Sequence, residues 1–127
     1  MFHPFADLVG LKIDTLDNGI SECSIKVCEK LLNPNKVVHG AVIYALADTG
    51  MGAALYPSVL EGQICATIEI KINYYRPVTS GLIVCETTVV NRGKSVANME
   101  STIFCNKTLI AKANGNYSIF TPSVKNT

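Results

Sequence analysis

Asp48 is the residue of this sequence whose type and surroundings point most directly to chemistry. It is the only formally charged side chain between Lys36 and Glu61, and the stretch around it is mostly apolar. A carboxylate is costly to place in such a stretch unless it is paired or has a task. We therefore interpret Asp48 as a catalytic group, either a general base that activates water or a nucleophile, and both roles are open. The alternative is a buried carboxylate that caps a neighbouring helix.

A second set of candidate residues precedes Asp48. His39 and Gly40 stand where the apolar stretch begins, and Asn33 lies in the polar loop before them. If a helix begins here, the backbone N–H of Gly40 is unpaired and lies at the positive end of the helix dipole, which favours a developing negative oxygen. The missing side chain also lets a reacting carbonyl group come close. Gly40 is thus predicted to stabilise an oxyanion, with a plain helix start as the alternative.

The spacing of Gly40 and Asp48 predicts that the site needs two copies of the chain. Eight residues at a helical rise of roughly 1.5 Å place the two groups about 12 Å apart along the axis. A general base and an oxyanion donor must both lie close to one reacting carbon, so a single helix cannot supply both. Two helices that lie antiparallel about a twofold axis can, with Gly40 of one copy beside Asp48 of the other. The predicted site therefore lies across a dimer interface.

A long helix is predicted to position these groups. Residues 40–56 are apolar on all faces, which indicates a helix buried on all sides, and Pro57 predicts its end near Tyr56. Gly50 and Gly52 each cost a helix about 1 kcal/mol relative to alanine. Their presence indicates that a ligand or a neighbouring backbone approaches closely.

Strands are predicted on both sides of the helix. Residues 11–16 and 20–27 flank Asp17-Asn18-Gly19, a strong hairpin signal. Residues 64–75 then alternate apolar and polar, which predicts one continuous apolar face made of Ile64, Ala66, Ile68, Ile70, Ile72 and Tyr74. Further strands are predicted at residues 82–92, 95–105 and 108–120, with Gly115 a possible bulge. Because an apolar helix must be covered, we expect an α+β fold in which a curved antiparallel sheet wraps around the helix.

The composition limits the class of protein. The 127 residues, 48% hydrophobic and 17% charged, predict one domain over residues 1–127 that buries further surface against copies of itself. A net charge of +1 offers no basic face for nucleic acid, and no stretch is long and apolar enough to predict a membrane span. Five cysteines without a C-x-x-C motif, and no signal peptide, predict reduced thiols in the cytoplasm. The first ten residues are expected to hold a short helical turn with Phe2, Phe5 and Leu8 turned inward.

The candidate residues recur at a spacing typical of one family. The chain reads Asn33-x5-His39-Gly40-x7-Asp48-x-Gly50-x-Gly52 and then Tyr75-Arg76-Pro77. This pattern resembles the PaaI-type acyl-CoA thioesterases of the hotdog superfamily, although Ala41 stands where the family usually has a second glycine. The resemblance implies a hotdog fold of about six strands around one central helix. It also implies hydrolysis of an acyl-CoA by a dimer or a dimer of dimers, without a metal and with CoA only as part of the substrate.

The resemblance further implies roles for single residues. The Gly40 N–H would polarise the thioester carbonyl, Asn33 could hydrogen-bond the thioester sulfur or a water, and His39 could orient the loop or the substrate. Thr67 matches a position where relatives often carry a hydroxyl that positions water. Each of the three side chains also has a structural interpretation: a turn residue for Asn33, a structural histidine for His39, and a plain strand residue for Thr67.

Basic residues are the candidates for the phosphates of CoA. A guanidinium fork suits phosphate, and a glycine turn can bring backbone N–H groups close to it. The candidates are Arg76, Arg92, Gly93 and Lys94, with a solvated surface as the alternative.

Two other functions are open for this sequence. One is a non-catalytic module that binds acyl-CoA, and the other is a dehydratase or hydratase of acyl thioesters in which His39 and Asp48 act together. The acyl group and the choice between dimer and tetramer are also open, as is the effect of Ala41. The acyl pocket is expected between the helices, lined by Tyr44, Met51, Leu55 and Tyr56.

Overall fold

The chain folds into one antiparallel sheet and one long helix in the computed structural model, which describes residues 2–123. The elements in chain order are α1 (Pro4–Val9), β1 (Leu11–Asp17), β2 (Ile20–Lys26), α2 (Gly40–Leu55), β3 (Ile64–Tyr74), β4 (Leu82–Arg92), β5 (Val96–Cys105) and β6 (Thr108–Phe120). The predicted α+β fold, a six-stranded sheet around one long helix, is confirmed. Residue 1 and residues 124–127 of the predicted domain lie outside the described residues. No helix within residues 2–123 is long and apolar enough to cross a membrane.

The strand order of the sheet is β1-β2-β4-β5-β6-β3, and all neighbours are antiparallel. The predicted hairpin joins β1 to β2, and α2 carries the chain across to β3 at the opposite edge. The helix packs against the concave face of the sheet. Leu46, Met51 and Leu55 on its sheet-facing side are fully buried.

One face of α2 is open, so the prediction of a helix buried on all sides is wrong for the single chain. The open face consists of residues at helical spacing, none of them buried: Ala41, Tyr44, Ala45, Asp48, Thr49 and Gly52. The physical reason is that the sheet curls only part of the way around the helix. Its edge strands β1 and β3 lie on either side of this face and leave a cleft between them.

The predicted continuous apolar face of β3 is wrong, because the strand contains a bulge. Thr67 and Glu69 oppose the consecutive residues Tyr117 and Asn116 of β6, so Ile68 is an extra residue in the ladder. The bulge reverses the alternation from that point. Consequently, Ile70 and Ile72 pack against the core, whereas Ile68 is 57% exposed. The shift also turns Thr67 toward the helix.

Glycines allow the helix and the sheet to approach each other. A Cβ added at Gly50 would lie 2.7 Å from Thr87 Oγ1, and Ser21 Oγ donates a 2.7 Å hydrogen bond to the Gly50 carbonyl. A Cβ at Gly115 of β6 would lie 2.8 Å from Met51 Sδ. The predicted bulge at Gly115 is wrong, because the irregularity lies in β3 and Gly115 serves instead to admit the Met51 side chain.

The N-terminal segment differs from its prediction in the direction of its side chains. The expected helical turn is present as α1, but Phe2 is 93% exposed and Leu8 is 65% exposed. Phe5 is about half exposed and borders the cleft beside α2. Because α1 lies at the open side of the sheet, only Ala6 of this helix is buried, and the large apolar side chains have no core beside them.

Replacing Gly115 by alanine is expected to destabilise the fold. The added methyl group would press on Met51 and on the Glu69 carbonyl oxygen, 3.1 Å away, and overpacking of this kind costs about 1–3 kcal/mol. Urea unfolding of Gly115→Ala measures the loss. Ser118→Ala, on the outer face of the same strand, is the control and should stay within about 0.5 kcal/mol of wild type. Equal stability of the two variants would contradict the proposed contact.

Candidate active site

Two hydroxyl groups hold the Asp48 carboxylate at the middle of the open helix face. Thr67 Oγ1 of β3 donates a 2.7 Å hydrogen bond to Asp48 Oδ1, and the Tyr117 hydroxyl of β6 donates to the same oxygen. The other oxygen, Oδ2, has no hydrogen-bond partner among residues 2–123. The structure therefore brings two separately predicted residues, Asp48 and Thr67, together and fixes the carboxylate through one oxygen only.

Tyr117 is the member of this cluster that the sequence did not reveal. Its side chain is 4% exposed, and its hydroxyl also donates to the Asp48 carbonyl. Burial, and then the hydrogen bond to Asp48, raise the pKa of the Tyr117 hydroxyl above its ordinary value, so it stays protonated and acts as a donor. The available signal was the alternation of β6. It places one aromatic side chain with a polar tip on an inward face otherwise made of alanine, glycine and isoleucine.

A cleft of about 640 Å³ opens beside Asp48. Its polar groups gather around Asp48, Thr67 and Tyr117, and its remaining lining is mostly apolar: Phe5, Ile13, Leu16, Ala45, Gly52, Ala53, Tyr56, Cys65 and Ala66, with His3 and Thr49 as further polar residues. Of the four predicted pocket residues, Tyr56 borders this cleft. Met51 and Leu55 do not, because they lie on the sheet-facing side of α2 and are fully buried. Tyr44 lies on the open face but outside the cleft.

The start of α2 presents one unused backbone donor. His39 is the N-cap, and its Nδ1 accepts a 2.9 Å hydrogen bond from the Ala41 N–H, which leaves the proton on Nε2. The Val42 N–H donates to the His39 carbonyl. The Gly40 N–H has no partner within the described part of the chain. The Tyr74 hydroxyl donates to the Gly40 carbonyl at 2.7 Å, and a Cβ at Gly40 would lie 3.3 Å from that tyrosine.

Asn33 organises the loop before the helix. Its Oδ1 accepts hydrogen bonds from the backbone N–H groups of Asn35 (2.9 Å) and Val37 (3.3 Å). Its Nδ2 group makes no hydrogen bond to residues 2–123. Neither Asn33, His39 nor Gly40 borders the Asp48 cleft. One chain thus carries two separate groups of candidate residues, one at the helix start and one around Asp48.

The candidate phosphate-binding residues differ in how far the chain itself uses them. Arg92 donates to Ser58 Oγ (3.1 Å), to the Ser58 carbonyl (2.8 Å) and to the Gly93 carbonyl (2.6 Å), so its guanidinium holds the β4–β5 turn against the end of α2. A Cβ at Gly93 would lie 2.6 Å from the Val96 carbonyl oxygen, which explains the glycine. Lys94 is exposed. The Arg76 guanidinium donates one 3.3 Å hydrogen bond, to the Leu109 carbonyl, and the residue borders a small hollow beside Gly40.

Comparison with known proteins places this sequence in a family. The model of the thioesterase superfamily matches residues 35–111, which include α2, β3, β4 and β5. A protein of Archaeoglobus fulgidus with a provisional esterase name is 32% identical over 112 residues, which cover 86% of this chain and 70% of that protein. The 1,4-dihydroxy-2-naphthoyl-CoA hydrolase of Listeria monocytogenes is 25% identical over 70% of this chain and 72% of its own length.

Solved structures share the whole fold. The conserved protein PA5202 from Pseudomonas aeruginosa superimposes with a TM-score of 0.86 at 28% identity, over 94% of this chain and 96% of that protein. Because the match covers nearly the whole chain, the arrangement of the long helix and the sheet is one that this protein also adopts.

The Tyr117 hydroxyl is expected to link stability to alkaline pH. Its pKa is raised in the folded chain, so its contribution is present below the unfolded value of about 10 and is lost as the pH rises above that value. Between pH 10 and 11, the free energy of unfolding of the wild type should fall more steeply than that of Tyr117→Phe. The difference should reach at most about 1.4 kcal/mol per pH unit. Urea unfolding across this range measures it, and parallel curves would contradict the buried hydrogen bond.

Proposed function

Because the chain belongs to the thioesterase superfamily, we propose that it hydrolyses the thioester of an acyl-CoA to a free acid and CoA. The observation that carries this proposal is the Asp48 carboxylate, held through Oδ1 by two hydroxyl donors while Oδ2 is unpaired among the described residues. The carboxylate also borders a mostly apolar cleft large enough for an acyl group. This combination is what a hydrolase needs in order to bring a base and an apolar substrate together.

Asp48 is proposed to act through Oδ2. In one route, Oδ2 takes a proton from a water molecule, whose oxygen attacks the thioester carbon. In the other, Oδ2 attacks that carbon directly, and water then hydrolyses the resulting anhydride. In both routes the carbon–sulfur bond breaks and the thiolate of CoA takes up a proton. The hydrogen bonds from Thr67 and Tyr117 keep the carboxylate from rotating, so the same oxygen faces the substrate in every molecule.

The oxyanion donor is proposed to come from a second copy of the chain. The Gly40 N–H is free, whereas the neighbouring Ala41 N–H is occupied by His39. In this proposal Ala41, which departs from the usual family pattern of a second glycine, leaves the donor intact, since that donor is the Gly40 N–H. The open face of α2 and the uncovered edge of β3 are surfaces that a second copy would cover. We propose a dimer in which two α2 helices lie antiparallel, and a dimer of dimers as the larger assembly.

The remaining candidates take supporting roles in this proposal. The free Nδ2 group of Asn33 would donate to the thioester sulfur or to a water, and His39 would hold the helix start in place. Arg76 and Lys94 would contact the phosphates of CoA. Arg92 and Gly93 would act indirectly, by fixing the turn that carries Lys94. The five cysteines are free thiols, which suits the cytoplasmic location predicted from sequence.

Asp48→Asn is expected to lower kcat by roughly 10²–10⁴, the usual worth of a general base. Release of free CoA from a panel of acyl-CoA thioesters, followed with a thiol reagent, measures the effect. Asp14→Asn is the matched control, because Asp14 is exposed and lies on β1 outside the cleft. Hydrolysis at the wild-type rate by Asp48→Asn would end the proposal. Tight binding of acyl-CoA without CoA release by the wild type would favour a binding module instead.

Mixed dimers test whether the site is shared. Gly40→Pro removes the proposed N–H donor, and Asp48→Asn removes the base, so each homodimer should be inactive. If the two proteins are mixed and allowed to exchange subunits, half of the dimers become mixed, and each contains one site with both native groups. We expect recovery of about a quarter of wild-type activity. Recovery of none, with subunit exchange confirmed by mass spectrometry, would mean that both groups act within one chain.

A further inference from the structure

Gly52 is a helix glycine that the fold itself does not require. Glycine is disfavoured in a helix interior relative to alanine, and Gly50 is accounted for by its contact with Thr87. A Cβ added at Gly52 would meet only the Tyr117 side chain, 3.7 Å from its ring and 3.9 Å from its hydroxyl oxygen, and both are ordinary van der Waals contacts. The backbone there is regular helix. An alanine would therefore fit the chain at position 52 without any rearrangement.

The position of Gly52 suggests what the missing side chain is for. It lies four residues after Asp48 on the same face of α2, about 6 Å further along the axis. Gly52 borders the 640 Å³ cleft, and Ala53 beside it is also small. Tyr56 follows Gly52 by four residues at the C-terminal end of α2, where the β1–β2 turn also lies, and Tyr56 and Leu16 of β1 line the cleft there as its apolar end. A side chain at position 52 would stand between the carboxylate and this apolar end.

We infer that Gly52 is a specificity determinant: it keeps open the passage from Asp48 to the apolar end of the cleft. The substrate class that fits is a thioester whose acyl group has an extended apolar body, such as a medium-chain or arylacyl group. Its carbonyl carbon would lie at Asp48 and its body would pass Gly52 toward Leu16 and Tyr56. An acetyl group would leave that apolar space unfilled. This inference rests on the proposed hydrolysis of acyl-CoA at the same site.

The test compares substrates of different length in Gly52→Ala and Gly52→Val. For acetyl-, hexanoyl-, decanoyl- and phenylacetyl-CoA, kcat/KM is measured by CoA release. We expect wild type to prefer the longer acyl groups. Gly52→Val should lower the ratio of kcat/KM for decanoyl-CoA to that for acetyl-CoA by about tenfold or more, the usual effect of blocking a methylene-sized space. Gly52→Ala should show a smaller change of the same sign, with a Tm equal to or higher than that of wild type.

Gly50→Ala is the matched control in the same helix. Its added methyl group would collide with Thr87 on the sheet side, so we expect a lower Tm and a substrate ratio within about twofold of wild type. Gly50→Ala should thus lower the Tm without changing the substrate ratio, whereas Gly52→Ala should change the substrate ratio without lowering the Tm. A substrate ratio that shifts equally in both variants would overturn the inference, because the effect would then be one of general helix packing.

Two further outcomes separate this inference from the proposed function. If Gly52→Val hydrolyses all thioesters in the wild-type ratio, or falls apart into monomers on analytical ultracentrifugation, the space at Gly52 is not for the acyl group and the inference fails. If the wild type releases CoA from no thioester, the proposed function fails. The thioethers S-ethyl-CoA and S-decyl-CoA then decide the inference by calorimetry. Gly52→Val must weaken S-decyl-CoA binding about tenfold relative to S-ethyl-CoA, and equal effects would overturn it.

Discussion

The hydrogen bonds from Thr67 and Tyr117 to Asp48 are the interaction on which the arrangement of this molecule depends. They join the long helix to two neighbouring strands at one oxygen atom. For the three groups to meet, the helix must lie close to the sheet and in one register. Gly50 and Gly115 remove side chains where the two layers are in close contact, and the Ile68 bulge places Thr67 on the same side of β3 as Ile70 and Ile72. Three local features, at positions 50, 68 and 115, thus serve one contact.

The same constraint is the physical basis of the dimer proposed above. Asp48 is held from the sheet side, and the face of α2 on which it lies is uncovered in the single chain, with Oδ2 unpaired among the described residues. The helix start, which has the free Gly40 N–H, is too far along the axis to reach that oxygen. A buried helix would be more stable in isolation but would have no room for a substrate. The open face therefore lowers the stability of the single chain, and it is also the place where the proposed shared site can form.

Much of the fold could be predicted from the sequence, because its signals are local. The hairpin turn, the apolar run closed by Pro57 and the period-two strands gave the order of elements and most boundaries within a residue or two. The site was only partly predictable. Asp48 stands out by its charge, but Tyr117 is 69 positions away and looks like any inward strand residue. The Ile68 bulge was equally hidden, since unbroken alternation in the sequence predicts an unbroken strand. The burial of α2 within the single chain was overpredicted, because hydrophobicity alone does not tell whether a helix is buried by its own sheet or by another chain.

The pairing of β3 with β6 has a consequence for how the molecule is made on the ribosome. β3 is the first strand after the helix, yet its neighbour in the sheet is the last strand of the chain. During synthesis β3 must therefore wait, without a partner, until residues up to Phe120 have left the exit tunnel. Only then can Thr67 and Tyr117 contact Asp48 together. The nascent chain consequently has no complete carboxylate cluster before β6 has been synthesised.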